Sequence, residues 1–359
     1  MKTVASLLLI AFLIVLIPSV GLAQFKPGSG ELKGYMIGEY YYIIDHHTGN
    51  FKDVEDGIKG RSGFWFRRIY FTYNNTLSDT VKMRLRMEMA STSNLLSSST
   101  LVPFVKDAYL SWKFAGSTSL VAGIQSPPSF AQVEDIWGYR SLEKTPLDLY
   151  KWTSSRDFGI SIKGGDTALY QVMFANGSSN KSEADNGKKL YGSLGYSSGG
   201  FFVEGMAQYE KAKLSGNDDI IAQGFAAYQG DWGRVGAQYS YRDYKDNDKD
   251  KSYKYSLVSI FAVFKAGEKI ELIARWDGTM GDGWEESWKG SGVSYVPFAD
   301  YHKFNFFIGA ISWQAHKNVW IIPNVKFTTY SENDSLPSIG DYEKPGNDVY
   351  ANITLWFKF

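Results

Sequence analysis

The sequence predicts an all-β chain, a transmembrane antiparallel β-barrel of about sixteen strands, and three observations carry that prediction. Segments of about ten to thirteen residues alternate apolar with polar side chains along the chain. The breaks between these segments are alternately long and short. The last segment sets Val349, Ala351, Ile353, Leu355, Phe357 and Phe359 on one face and Tyr350, Asn352, Thr354, Trp356 and Lys358 on the other. In water such a strand is an aggregation hazard when its edge stands unpaired. A closed barrel in lipid pairs every backbone group and gives the apolar face acyl chains to meet.

Residues 1–23 read as a secretory signal peptide: Met1 and Lys2 precede the apolar run Leu7 to Ile17, and Gly21, Leu22 and Ala23 supply small residues before a cut at Gln24. The run is too short for a membrane helix, which needs roughly 20 apolar residues. Residues 24–359 are then the exported barrel, located in the outer membrane of a Gram-negative bacterium. With 44% hydrophobic and 16% aromatic residues the chain is too apolar to be disordered. The absence of cysteine excludes thiol catalysis and a disulfide framework. Balanced charge, 38 basic against 38 acidic residues, argues against a nucleic-acid partner. The 24 Tyr, 23 Phe and 11 Trp suit the aromatic girdles of a membrane barrel.

In chain order the segments lie near 32–44, 61–74, 80–92, 104–114, 118–126, 156–164, 167–176, 188–197, 200–211, 219–230, 232–244, 252–265, 268–277, 301–314, 318–330 and 347–359. Long polar breaks fall at 45–60, 93–103, 127–155, 177–187, 212–218, 245–251, 278–300 and 331–346, with short ones between. A membrane barrel has this asymmetry, with tight periplasmic turns and long outer loops, so both ends of the chain are expected in the periplasm. With no plug expected before residue 32, about sixteen strands leave a water-filled lumen.

Segment 80–92 shows best what faces that lumen. Val81, Met83, Leu85, Met87 and Met89 point one way and Lys82, Arg84, Arg86 and Glu88 the other. Charge at mid-bilayer on the lipid face costs about 2–4 kcal/mol for Arg or Lys, so the second set faces inward. The same count puts Lys113, Lys163, Arg234, Arg242, Arg275 and Lys326 inside with Asp107, Asp157, Glu271 and Asp277. In 64–71 the apolar positions Phe64 and Phe66 are out of phase with Ile69 and Phe71; a bulge at Arg67 and Arg68 would reconcile them and keep at least one arginine inside.

The break 127–155 carries Glu134, Asp135, Arg140, Glu143, Lys144 and Asp148 among Phe130, Ile136, Trp137, Leu142, Leu147, Tyr150 and Trp152. So apolar a loop should bury itself, and the inside of the wall is the available surface, with an outer lid or a trimer contact as the alternative. Folded inward it would narrow the pore and set its carboxylates against a basic wall as a transverse field.

Four histidines offer little to an enzyme, since none has a nucleophile motif beside it. His46 and His47 beside Asp45 invite a metal, but neighbours on a strand point to opposite faces, so solvated loop histidines are expected and no metal or other cofactor. A structural or adhesin barrel is the alternative to a channel.

Several short motifs, in this order, resemble the phosphate-selective porin O and P family. They are Phe64 to Tyr73 (FWFRRIYFTY), Asp107-Ala108-Tyr109-Leu110, Gly123-Ile124-Gln125 before Pro127-Pro128, Ser154-Ser155-Arg156-Asp157-Phe158-Gly159, Phe174-Ala175-Asn176-Gly177 and Ala274-Arg275-Trp276-Asp277. The resemblance implies a sixteen-stranded porin, usually trimeric, with an inward third outer loop and a ladder of basic residues in the pore. Arg67, Arg68, Lys82, Arg84, Arg86, Arg156 and Arg275 stand in or beside matching segments, although a full lysine ladder does not align. The expectation is therefore a homotrimeric channel for small hydrophilic solutes, in contact with outer-membrane lipid, with a weak preference for anions rather than phosphate specificity.

Overall fold

The computed structural model describes residues 30–47, 58–91, 100–184, 186–211, 217–290, 297–333 and 345–359. The expected signal peptide lies outside the described residues, as do most of the break 93–103 and parts of several other long connections. Sixteen strands follow one another: β1 (Gly30–Asp45), β2 (Ser62–Thr76), β3 (Val81–Ser91), β4 (Leu101–Ala115), β5 (Thr118–Gln125), β6 (Asp157–Gly164), β7 (Ala168–Ala175) and β8 (Lys189–Ser198). Then come β9 (Phe201–Glu210), β10 (Asn217–Gly230), β11 (Gly233–Asp246), β12 (Lys251–Lys265), β13 (Ile270–Met280), β14 (Phe304–His316), β15 (Val319–Tyr330) and β16 (Asp348–Lys358). Each pairs antiparallel with its chain neighbours, and β16 returns to β1 to close the barrel.

Closure fixes the last strand as its pattern demands. Tyr350, Asn352 and Thr354 are buried, whereas Ile353 and Leu355 on the alternate face are exposed. The same alternation runs round the wall, with exposed Val172, Phe174, Leu190, Leu194, Ile260 and Ile311 interleaved with buried polar or aromatic residues. An apolar outer surface of this kind has lipid as its solvent. Phe359 exchanges backbone hydrogen bonds with Gly34, at 2.9 and 3.0 Å, so pairing with β1 continues one residue past β16.

The expected bulge is present. Ile37 pairs with Arg68 and Gly38 with Phe66, leaving Arg67 as the extra residue, and both arginines are buried. A second register shift opposite Arg86 and Met87 leaves Lys106 extra in β4, which turns Lys106 and Asp107 inward together.

Two expectations need correction. The break 245–251 shrinks to a four-residue connection between Asp246 and Lys251, because the pairing of β11 with β12 runs on to Asp246 and Lys251 themselves. The aromatic residues, expected in the membrane girdles, mostly point inward in 252–265. Tyr253, Tyr255 and Phe261 are buried, and only Phe264 is left exposed on the outer face.

Candidate pore constriction

The connection from β5 to β6 is held by two short helices, α1 (Ala131–Trp137) and α2 (Pro146–Leu149). Gly138 ends α1 at φ 69, donating its N–H to Glu134 O. A side chain there would collide with the Arg234 guanidinium, 2.8 Å from where its Cβ would stand, as well as resisting the left-handed backbone. The apolar residues do bury themselves: Phe130, Val133, Ile136, Trp137, Leu142, Leu147, Leu149, Tyr150 and Trp152 all join the main hydrophobic cluster.

They pack against one side of the wall. Trp137 meets Phe261 of β12 at 5.1 Å, and Trp152 meets Tyr255 at 5.9 Å. Tyr150 contacts Phe304 at 5.2 Å and Trp284 at 5.9 Å; Trp284 belongs to α3 (Gly283–Glu286) in the connection before β14. Aromatic pairs in these edge and tilted geometries add about 0.5–1.5 kcal/mol each beyond the area they bury.

Polar anchors fix the rest. Arg67 donates to Ser141 O and, at 3.1 Å, to Leu142 O, while its Nε lies 3.1 Å from Glu39. Arg275 donates to Lys144 O and forks onto Asp277, which also accepts from the Tyr150 hydroxyl at 2.7 Å. Glu143, fully buried, takes the Lys326 ammonium at 2.9 Å. Arg234 reaches Trp137 O at 3.1 Å, and Tyr139 donates to Glu271.

The connection neutralises most of its own charge. Arg140 bridges Glu134 at 3.0 Å and Asp148 at 2.7 Å, with Lys144 at 3.7 Å from Asp148. Burial pushes the Asp148 carboxyl up, but Lys144 and Arg140 outweigh it and hold it well below the usual carboxylate range. Burial lowers the Lys144 ammonium. Asp135 is exposed. Glu134 and Asp148 are thus paired within the connection, and Glu143 crosses to the wall, where it is buried against Lys326.

Two of the cavities that border this segment lie toward opposite ends of the barrel. One, of about 480 Å³, is lined by Lys144, Asp148, Lys151, Lys189, Glu210 and Arg242 toward the long connections. The other, of about 420 Å³, is lined by Lys33, Arg86, Glu134, Asp135, Arg140 and Lys358 toward the short turns. Arg140 lines the second and Asp148 the first, so their ion pair stands at the partition between them.

On the facing wall Asp107 collects three guanidiniums. Arg156 donates to it directly, Arg86 lies at 3.5 Å and Arg84 at 4.0 Å; these last two also donate to Thr72 and Asn74, at 2.9 and 2.8 Å. Lys82 is exposed, and half-buried Lys163 lines a cavity with Glu204 and Gln171. Other expected pore cations are spoken for: Arg68 by Glu88 at 3.2 Å, and Arg242 by both oxygens of Asp219 at 2.9 Å. Asp157 serves structure, accepting from the Gly177 N–H and the Tyr191 hydroxyl. Sequence reasoning missed Lys106, which meets Glu88 at 3.0 Å, and Lys189, which meets Glu210 at 3.2 Å. The odd spacing between the outward Val105 and Leu110 was the available sign of the first.

His46 and His47 are also corrected. They are buried, not solvated, with rings 4.1 Å apart, because both lie past the end of β1 where strand alternation no longer applies.

The model of the family described as phosphate-selective porin O and P matches residues 40–252, more than half of the chain. The chain belongs to that family. Among solved structures, an anion-selective porin from Comamonas acidovorans superposes with a TM-score of 0.67 at 12% identity, covering 92% of this chain and 99% of its own. OmpF of Salmonella typhi gives 0.63 at 13% identity, covering 92% and 97%. The outer membrane channel DcaP of Acinetobacter baumannii gives 0.62 at 13%, again covering 92% and 97%. No curated protein matches the chain in sequence. At such identities the likeness speaks to the fold, a sixteen-strand barrel of the outer-membrane porin type.

Proposed function

We propose that the chain forms a water-filled channel for passive diffusion of small hydrophilic solutes across the outer membrane, weakly selective for anions. The observation that carries the selectivity is the cluster of Arg84, Arg86 and Arg156 on the single carboxylate of Asp107. Three fixed cations against one anion leave a net positive wall, and a positive wall raises the local concentration of anions. The segment 127–155 is the constriction, dividing the lumen into an outer and an inner vestibule, with the solute path along the charged wall. Long loops face outward, short turns and chain ends face the periplasm, residues 1–23 are removed on export, and three copies assemble.

Weak preference fits better than phosphate specificity, because most inner cations are already paired with carboxylates of the wall or the constriction. The porin of similar fold from Comamonas acidovorans is described as anion-selective, which agrees in direction. Reversal potentials of single channels in a potassium chloride gradient test the reading. A chloride-to-potassium permeability ratio above one supports it, and a ratio below one, or no conductance, removes it.

A further inference from the structure

Where the first and last strands close the barrel, at the end carrying the long connections, side chains converge that the channel does not use. Asp45 of β1 pairs with Val349 of β16, and His46, His47 and Asp348 adjoin that pair. The Nδ1 atoms of His47 and His46 lie 2.9 and 3.0 Å from the same oxygen of Asp348. The Tyr350 hydroxyl is 2.8 Å from His46 Nδ1, and the Tyr330 hydroxyl donates to the other Asp348 oxygen. The three side chains are 1%, 1% and 0% exposed.

We propose that His46, His47 and Asp348 bind a divalent transition-metal ion of the zinc class that clasps the seam of the barrel. Two imidazole nitrogens and a carboxylate form a donor set that takes zinc, with one position left for water or for the neighbouring Tyr350 hydroxyl. Ligands held about 2.1 Å from a tetrahedral ion stand about 3.4 Å apart. The two nitrogen-to-oxygen separations, 2.9 and 3.0 Å, are a little shorter than that, and one ligand atom from each residue falls within 4.8 Å of the others.

Hydrogen count and charge point the same way. The shared Asp348 oxygen already accepts the His47 backbone N–H at 2.7 Å. Protons on both Nδ1 atoms would give it three donors and leave the Tyr350 hydroxyl facing one of the same N–H groups. A cation lets both nitrogen lone pairs point inward instead. A buried carboxylate also needs a counter-charge. Among the described residues the ion-pair partners of Asp348 are the two imidazoles, which in their neutral form carry no charge to offer it. Magnesium and calcium prefer all-oxygen shells, so this site discriminates against them.

The test uses the folded full-length barrel in detergent, stripped with chelator and titrated with Zn²⁺ against a chromophoric zinc dye, with Mg²⁺ in parallel. One Zn²⁺ per barrel is expected, together with a rise in thermal unfolding temperature that Mg²⁺ does not produce. His46→Gln should weaken Zn²⁺ binding about tenfold or more and His46→Gln with His47→Gln should abolish it, both while migrating as folded barrels. His316→Gln, altering an exposed histidine beside a short turn, should bind as the parent does. Folded parent protein that does not compete with the dye overturns the proposal. So does undiminished binding in the double variant.

Discussion

Replacing Arg84 and Arg86 by glutamine tests whether the positive wall sets the pore's field. The two guanidiniums lie 4.0 and 3.5 Å from Asp107, and their removal leaves Arg156 alone opposite that carboxylate. The local net charge falls from plus two to zero. A unit charge about 10 Å away is worth about 0.4 kcal/mol in water, and screening at about 0.1 M salt reduces this to about 0.15 kcal/mol. Two net charges then favour an anion by about 0.3 kcal/mol and disfavour a cation equally, which is about a threefold permeability ratio. The double variant should lose most of that ratio in dilute salt. At about 1 M salt, where the screening length is near 3 Å, parent and variant should converge. Planar-bilayer reversal potentials read both conditions. Identical potentials for parent and variant in dilute salt would refute the reasoning.

Three further outcomes follow from the same geometry. Lys326→Met leaves the fully buried Glu143 without its ammonium and should destabilise the barrel by about 3–5 kcal/mol, seen as a lower heat-modifiability temperature together with noisier single-channel current. An unchanged temperature would mean the pair is solvated. Cysteine introduced at Asn247 should react with an impermeant maleimide on intact cells, whereas cysteine at Gly267 should not; the opposite pattern would invert the barrel. Native mass spectrometry in mild detergent should give a trimer, and a monomer at every concentration tried would exclude it.

The strands were legible because their period is two and their outer face is apolar. No boundary moved by more than three residues, and Tyr350, Asn352 and Thr354 turned inward as counted. Counting parity fails where pairing is not one for one. The phase break in Phe64 to Phe71 announced the bulge that buries both Arg67 and Arg68, but the insertion that turns Lys106 inward passed unnoticed beside Asp107. Ion pairing was illegible for a related reason. Arg156 and Asp107 are 49 residues apart and meet only through the path of the constriction segment back to the wall. His46 and His47 were misread by carrying strand alternation two residues past Asp45, where the strand ends.

The interior is divided between two kinds of surface, and that division gives the constriction its place. Tyr255 and Phe261 of β12 with Phe304 and Phe306 of β14 form a dry aromatic side, to which Trp137, Tyr150 and Trp152 add their own rings. Glu88, Arg84, Arg86 and Asp107 make β3 and β4 a charged side. A segment as apolar as 127–155 gains by covering the first and would lose by covering the second, since each guanidinium stripped of water needs a new partner. It therefore settles on the aromatic side, and its polar contacts with the wall are made by groups that bring a partner with them, such as the Ser141 and Leu142 carbonyls for Arg67, the Lys144 carbonyl for Arg275 and Glu143 for Lys326. Arg84 and Arg86 keep part of their side chains exposed. On the channel reading proposed above, the hydrophobic effect would choose which half of the lumen closes, and three arginines sharing one aspartate would set the sign of the other half.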